Sequence, residues 1–241
     1  MSDYSLRILC RTAIVLLLFL PGCGEDSRSS SQTENPQELI LSATEKQRIG
    51  AYDEAIGILR RALEVGPESA DIYYRMGLVY READQKNEAI ESFKNALKVE
   101  PENLPARVGL GEVYSYITRN DLAVAEFLKA ESLKPDDTEL LFKIALEYWY
   151  DQNIKKAAEY YQKILSINPN HMQTHLNLIG VHEKLKEWEK ALDEIEISKR
   201  LGIETNNDQA IAIAEGKLAF IKGRIDMTDK EYKRKTLPPF D

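Results

Sequence analysis

Three histidines, His171, His175 and His182, lie close together in a segment rich in Glu and Lys, and an i, i+4 pair of imidazoles can hold zinc. At about 1.5 Å of rise per residue, however, His175 and His182 would stand roughly 10 Å apart along a helix. Both also take places where the equivalent segments of the chain carry bulky packing residues, so all three read as core or edge histidines and no metal or cofactor is expected. Glu187, Glu189 and Lys190 have the spacing of a solvated helix face, not of an acid and base pair. The chain has no Gly-rich phosphate loop and no nucleophile with a recognisable base, which points away from an enzyme. What remains is recognition by apolar and aromatic side chains, together with the chemistry of a thiol at Cys23.

Those side chains must be positioned by something regular, and the regularity is in the sequence. Tyr73, Met76, Gly77, Tyr80, Ala89, Phe93, Ala96 and Pro101 are followed 34 residues later by Arg107, Leu110, Gly111, Tyr114, Ala123, Phe127, Ala130 and Pro135. Within one such unit the apolar residues fall at helical spacing on two successive stretches, so each unit supplies two amphipathic helices. Small residues let backbones approach while Tyr80 and Phe93 fill the space between them. Proline closes the unit because it lacks the amide proton and disfavours helix in the residue before it. Ala55, Ala89, Ala123, Ala157 and Ala191 carry the same phase along the chain, and Pro67, Pro101, Pro135 and Pro169 close the first four units.

This period and these places resemble the tetratricopeptide repeat family, whose helix-turn-helix units stack into a solenoid. The resemblance implies an all-α protein, an α-solenoid wound as a right-handed superhelix, with five units at 36–69, 70–103, 104–137, 138–171 and 172–205. The first unit is more polar in its opening helix, with Leu39, Ser42, Ala43 and Lys46, as an end unit requires. In the fifth, Ile179, Ser198 and Ile203 replace the small residues and proline, and Gly202 is expected to stop the helix. A capping helix at 206–223, started by Asn206 or Asn207 and striped with Ile211, Ala214, Leu218 and Ile221, should seal the last unit. A charged tail at 224–241 follows.

In that family the inner, concave wall is built from first-helix positions that do not pack against neighbouring helices. Carrying the register over gives Ile40 and Thr44, then Tyr74, Leu78 and Arg81, then Val108, Glu112 and Tyr116. Phe142, Leu146, Trp149 and Tyr150 follow, and Leu176, Glu183 and Lys184 complete the set. A connected apolar and aromatic set on such a wall implies a protein or peptide partner, laid in the groove as a helix or an extended segment. The other reading open at this stage is that Phe142, Leu146 and Trp149 pack against neighbouring first helices or the chain's own tail. The Lys and Asn clamp by which some family members hold a C-terminal carboxylate is absent, since Ile40, Thr44, Tyr74 and Leu78 occupy its leading places.

The formal charge of the chain is -8, and an acidic body argues against sequence-independent nucleic-acid binding, which needs clustered Lys and Arg. No small-molecule substrate is expected. Residues 1–22 read as a signal peptide, with Arg7 and Arg11 ahead of the apolar run from Ala13 to Leu20. That run is about half of the roughly 20 residues a spanning helix needs. Leu20-Pro21-Gly22-Cys23 resembles the lipobox of bacterial lipoproteins, in which cleavage leaves the cysteine first and lipidated; Pro21 is uncommon at its place. An ordinary secretory signal or an uncleaved anchor would use the same apolar run. Cys10 would leave with the signal, so no disulfide forms within the mature chain. Residues 23–35 read as a polar tether. The resemblance implies a cell-envelope protein facing the periplasm, and Gly24 after the cysteine favours the outer membrane. The expected function is a non-catalytic scaffold or adaptor in envelope-complex assembly. The alternative is a regulatory or delivery subunit of a cell-wall or protein-processing enzyme. Palmitate labelling in the native host should mark the wild-type chain and leave Cys23→Ala unlabelled; equal labelling of the two removes the anchor.

Overall fold

Capping side chains mark where the first helix begins in four of the five units; Ser69, ahead of the helix that starts at Ala70, makes no such bond. Asn35 accepts from the amide of Gln37, Asn103 from Ala106, Asp137 from Glu139 and Leu140, and the His171 imidazole from Thr174, each satisfying amides that the helix leaves without a partner. These residues are separated by 34 residues or twice that. The computed structural model describes residues 34–225, and within them the first helices are α1 (Pro36–Arg48), α3 (Ala70–Glu82), α5 (Leu104–Tyr116), α7 (Thr138–Tyr150) and α9 (Met172–Leu185). The second helices are α2 (Tyr52–Val65), α4 (Lys86–Val99), α6 (Asn120–Leu133), α8 (Ile154–Ile167) and α10 (Trp188–Glu204), and α11 (Asp208–Arg224) closes the series. Both kinds start at intervals of 34 residues.

The turn inside each unit is the same device five times over. Gly50, Asp84, Thr118, Gln152 and Lys186 all have φ between 58° and 76°. The amide of the following residue reaches back to a carbonyl five residues earlier, as Gln85 does to Tyr80 and Arg119 to Tyr114, each at 2.8 Å. That pairing satisfies the carbonyls at the end of the first helix. Only one of the five is glycine, although the left-handed region costs other residues on the order of 1–2 kcal/mol. Asn206, at φ 53°, repeats the arrangement after α10, with the Asn207 amide 2.8 Å from the Gly202 carbonyl.

Each helix packs on the ones before and after it in sequence, and first helices also meet one another, as α3 does α5 and α9 does α11. The chain is therefore an α-solenoid. Its seams are set by aromatic rings lodged against small residues. The Phe93 ring on α4 lies between α3 and α5, so that a Cβ placed on Gly77 would come within 2.6 Å of it and one on Gly109 within 2.7 Å. Phe127 meets Gly111 in the same way, and Ala55, Ala89, Ala123, Ala157 and Ala191 are all fully buried. At the N-terminal end α1 buries only Ile40 and Ala43 and leaves Leu41 71% exposed. Apolar contacts run as one long cluster from Ile40 to Val181, and a second cluster of Ile179, Ala191, Leu192, Ile195, Ala214 and Ile221 forms under α11.

Two details differ from the sequence reading. Gly202 does not stop α10, which continues to Glu204; it lies where Ile211 of α11 comes close, a Cβ there falling 2.7 Å from Ile211 Cγ1. The absence of a side chain admits the capping helix, and Asn206 makes the turn. The tether read at 23–35 is also shorter at its far end, because Asn35 caps α1 and Glu34 pairs with Arg61 at 2.7 Å. The rest of the tether, the signal, Cys23 and the tail beyond Ile225 lie outside the described residues.

One seam carries a charge. At the place held by Val79, Val113 and Val181 in other units, α7 has Glu147, 4% exposed. Its Oε1 accepts from the Ser115 hydroxyl at 2.5 Å, and its Oε2 has no partner. Burial pushes its carboxyl above the usual value, with the Ser115 hydroxyl working against the shift.

Because Phe93 has no room to retreat, Gly109→Ala should lower stability by about 1–3 kcal/mol, read as a shift of the urea midpoint. Gly57→Ala, at a glycine with open space around it, should be neutral or slightly stabilising.

Candidate functional site

The wall residues chosen from the register divide into three groups by what they touch. Tyr74, Leu78, Val108 and Phe142 are half-buried and packed against the main apolar cluster. The Tyr74 ring centre lies 6.0 Å from that of Phe93, and Phe142 sits between Tyr161 at 5.8 Å and His171 at 5.7 Å. These four pack into the main apolar cluster and support the face from beneath; of them, only Phe142 had a packing role left open from the sequence.

Arg81, Glu112 and Tyr116 form the second group. Arg81 of α3 pairs with Glu112 of α5, and Glu112 also receives Lys143 of α7 at 2.9 Å, so one carboxylate ties three first helices together. Tyr116 is 68% exposed, with the Lys86 ammonium 4.9 Å from its ring centre and Asp84 holding that ammonium at 2.7 Å. These residues, with Glu82 and Val113, surround a cleft of about 410 Å³. Its polar groups are largely paired with one another.

Leu146, Trp149, Tyr150 and Leu176 form the third group and converge on one cleft of about 340 Å³ between α7, α9 and α11. Gly180 lets the Trp149 ring lie against α9, a Cβ there falling 3.3 Å from the ring. Tyr161 of α8 reaches the floor of the cleft, where its hydroxyl oxygen accepts from Asn177 Nδ2 at 3.0 Å. Burial pushes the Tyr161 hydroxyl up to about 12, so it stays protonated. Ile213 and Lys217 of α11 complete the far wall, and Lys217 is held by Glu183 at 2.7 Å. Ile40 is buried, while Thr44 lines a separate surface depression with Gln47 and Tyr52; Lys184 is exposed.

The sequence reading missed Tyr161, Asn177, Ile213, Lys217 and Lys143. Tyr161 stands in register with Phe93 and Phe127, and its hydroxyl, where those units have a bare ring, was the available signal. Ile213 and Lys217 belong to α11, whose packing on α9 makes it a further first helix and therefore part of the same face.

The histidines all have structural partners. His182 Nδ1 lies 2.7 Å from Glu187, and His171 caps α9. His175 is clamped on both sides, Nδ1 at 2.6 Å from Glu194 Oε2 and Nε2 at 2.8 Å from the Pro169 carbonyl. Two acceptors require both ring nitrogens to be protonated. Burial works against that charge, but Glu194 and the Pro169 carbonyl outweigh it and leave the pKa above its ordinary value of 6.5. Among the described residues no group of three His, Cys, Asp or Glu side chains is placed to hold a metal ion.

Comparison with known proteins bears on the whole stack. Tetratricopeptide repeat models match residues 70–103, 104–137 and 138–171. Among solved structures the chain is similar to YrrB, described as a TPR protein with an unusual peptide-binding site, at 21% identity and a TM-score of 0.64, over 78% of this chain and 93% of that one. It is also similar to a MamA RS-1 double mutant, at 19% identity and a TM-score of 0.66, over 71% of this chain and 97% of that one. MamA from Desulfovibrio magneticus RS-1 gives 20% identity and a TM-score of 0.62, over 72% and 97%. No curated protein matches the chain in sequence.

The raised pKa of His175 fixes a pH dependence. Its contribution is complete below 6.5 and is lost as pH rises through the higher folded value. His175→Gln should therefore cost about 2 kcal/mol in urea unfolding at pH 6, and the difference from wild type should shrink steadily towards pH 9. A difference independent of pH would show that the ring is not charged.

Proposed function

We propose, for a chain that belongs to the tetratricopeptide repeat family through residues 70–171, a non-catalytic scaffold that captures a protein or peptide segment on its first-helix face while a lipid on Cys23 holds it to the cell envelope. The observation that carries this reading is the convergence of Leu146, Trp149, Tyr150 and Leu176, drawn from two helices, on one cleft that α11 walls off at its far side. Large apolar side chains gathered in a cleft with a few polar groups at its floor suit the anchor residue of a partner segment. Tyr116 and the paired charges around it offer a second, polar contact further along the face.

The family supports protein or peptide partners over small molecules, and the peptide-binding description printed for YrrB agrees with it. No helix among the described residues is long and apolar enough to cross a membrane; the reading of a lipid attachment rests on the lipobox-like Leu20-Pro21-Gly22-Cys23. The polar tether would give the scaffold reach from the bilayer, and the residue after the cysteine, Gly24, favours the outer membrane. In this position the protein would bring a partner segment to an envelope assembly by holding it, with no chemical step of its own.

The test is crosslinking in the native host followed by identification of what is bound. Trp149→Ala with Leu176→Ala should reduce the crosslinked partner at least about 30-fold, since truncating a good anchor costs about 2 kcal/mol or more. Circular dichroism should show the helices intact. Leu128→Ala, an exposed position on α6, should leave the partner set unchanged. An unaltered set in the folded double variant means that capture does not use this cleft.

A further inference from the structure

The cleft between α7, α9 and α11 is lined by two donors that find no acceptor among the described residues, the Tyr161 hydroxyl and the half-buried Trp149 indole. The Tyr161 side chain is 1% exposed, and its oxygen already accepts from Asn177 Nδ2. Among the described residues no acceptor meets the Tyr161 hydroxyl proton, and none meets the indole N–H of Trp149. The Asn177 carbonyl oxygen is taken by Gln173 Nε2 at 3.4 Å. An occupant suited to this surface brings carbonyl oxygens for the two donors and few amide protons of its own. It also brings flat apolar surface for the rings of Trp149 and Tyr150. Proline has this chemistry, because it lacks the amide proton, and adjacent prolines hold an extended, preformed helix that aromatic grooves bind at little entropic cost.

The chain contains one Pro-Pro pair, in Leu237-Pro238-Pro239-Phe240. The element that leads towards it is α11, which itself supplies Ile213 and Lys217 to the cleft. From Lys217 to Ile225, the last described residue, is about 12 Å at 1.5 Å per residue. Residues 226–236 span up to about 36 Å when extended, three times the distance needed to return. We propose that Leu237–Phe240 of this chain docks in the cleft, with its carbonyls on the Tyr161 hydroxyl and the Trp149 indole, so that a partner segment must displace it. This rests on the reading of the cleft as a binding site, and adds that the site is regulated by the chain's own tail.

Full-length protein labelled with 5-fluorotryptophan gives separate fluorine resonances for Trp149 and Trp188. Removal of Leu237–Asp241 should shift the Trp149 resonance and leave that of Trp188, in the apolar cluster under α11, in place. A synthetic peptide of residues 233–241, titrated into the shortened chain, should return the Trp149 resonance saturably. The same peptide with Pro238→Ala and Pro239→Ala should bind at least tenfold more weakly. Tyr161→Phe, which keeps the ring and removes the proton, should weaken the native peptide about five- to tenfold. An unshifted Trp149 resonance after truncation overturns the proposal, as does a shift that the peptide does not reverse. A Trp149 resonance in the full chain that moves on dilution assigns the tail to a second copy and also overturns it. Partner crosslinking through Trp149 and Leu176 is read independently of all three, so the binding site can stand where the tail fails.

Discussion

On α4, α6 and α8 an aromatic ring has to find a gap in the first helix beside it, and the spacing of the middle units follows from that fit. Phe93 is held between Gly77 and Gly109 with no space for a methyl group on either. That places α3, α4 and α5 relative to one another more tightly than any polar contact does. Close packing of this kind is felt at the level of a single carbon. Where the ring changes, the gap changes with it: α8 brings Tyr161 against a unit whose small residue is Ala145, and the hydroxyl emerges into the cleft between α7, α9 and α11.

Electrostatics refines this arrangement more than it creates it. The chain of Arg81, Glu112 and Lys143 runs across α3, α5 and α7 on a partly exposed surface, where a single ion pair contributes about 1 kcal/mol or less. Its effect is to fix which turns of the three helices face each other. Glu147 is the opposite case, a carboxylate in a seam built for valine, with one oxygen unpaired. Burying such a group costs stability, and only the Ser115 hydroxyl offsets it. The seam between the third and fourth units therefore carries a local cost that the valine seams do not.

The fold was legible because its period is written in small residues, which tolerate little substitution at a helix crossing. The alanines from Ala55 to Ala191 set the phase of all five units, and the helix starts follow it without slippage. The turns were not legible. Asp84, Thr118, Gln152 and Lys186 adopt the left-handed conformation without being glycine, because the hydrogen bonds of the turn and the packing of two helices outweigh a local preference. The site was legible in part. Register places a residue on the first-helix face, but whether it sinks into a seam, as Tyr74 and Phe142 do, or stands in a cleft, as Trp149 and Leu176 do, depends on the size of what lies across from it. For Gly180 and Trp149 that size comes from the next unit.

The apolar interior is divided, and the division passes under the Trp149 cleft. Trp149 of α7 packs on the long cluster that runs to Val181, whereas Leu176 packs on the separate cluster beneath α11. In a solenoid whose units hold only their neighbours, such a boundary is where the rod opens first. Anything seated in the cleft acts as a clasp across this weak joint, so its residence time and the breathing of the last hairpin are one quantity seen from two sides.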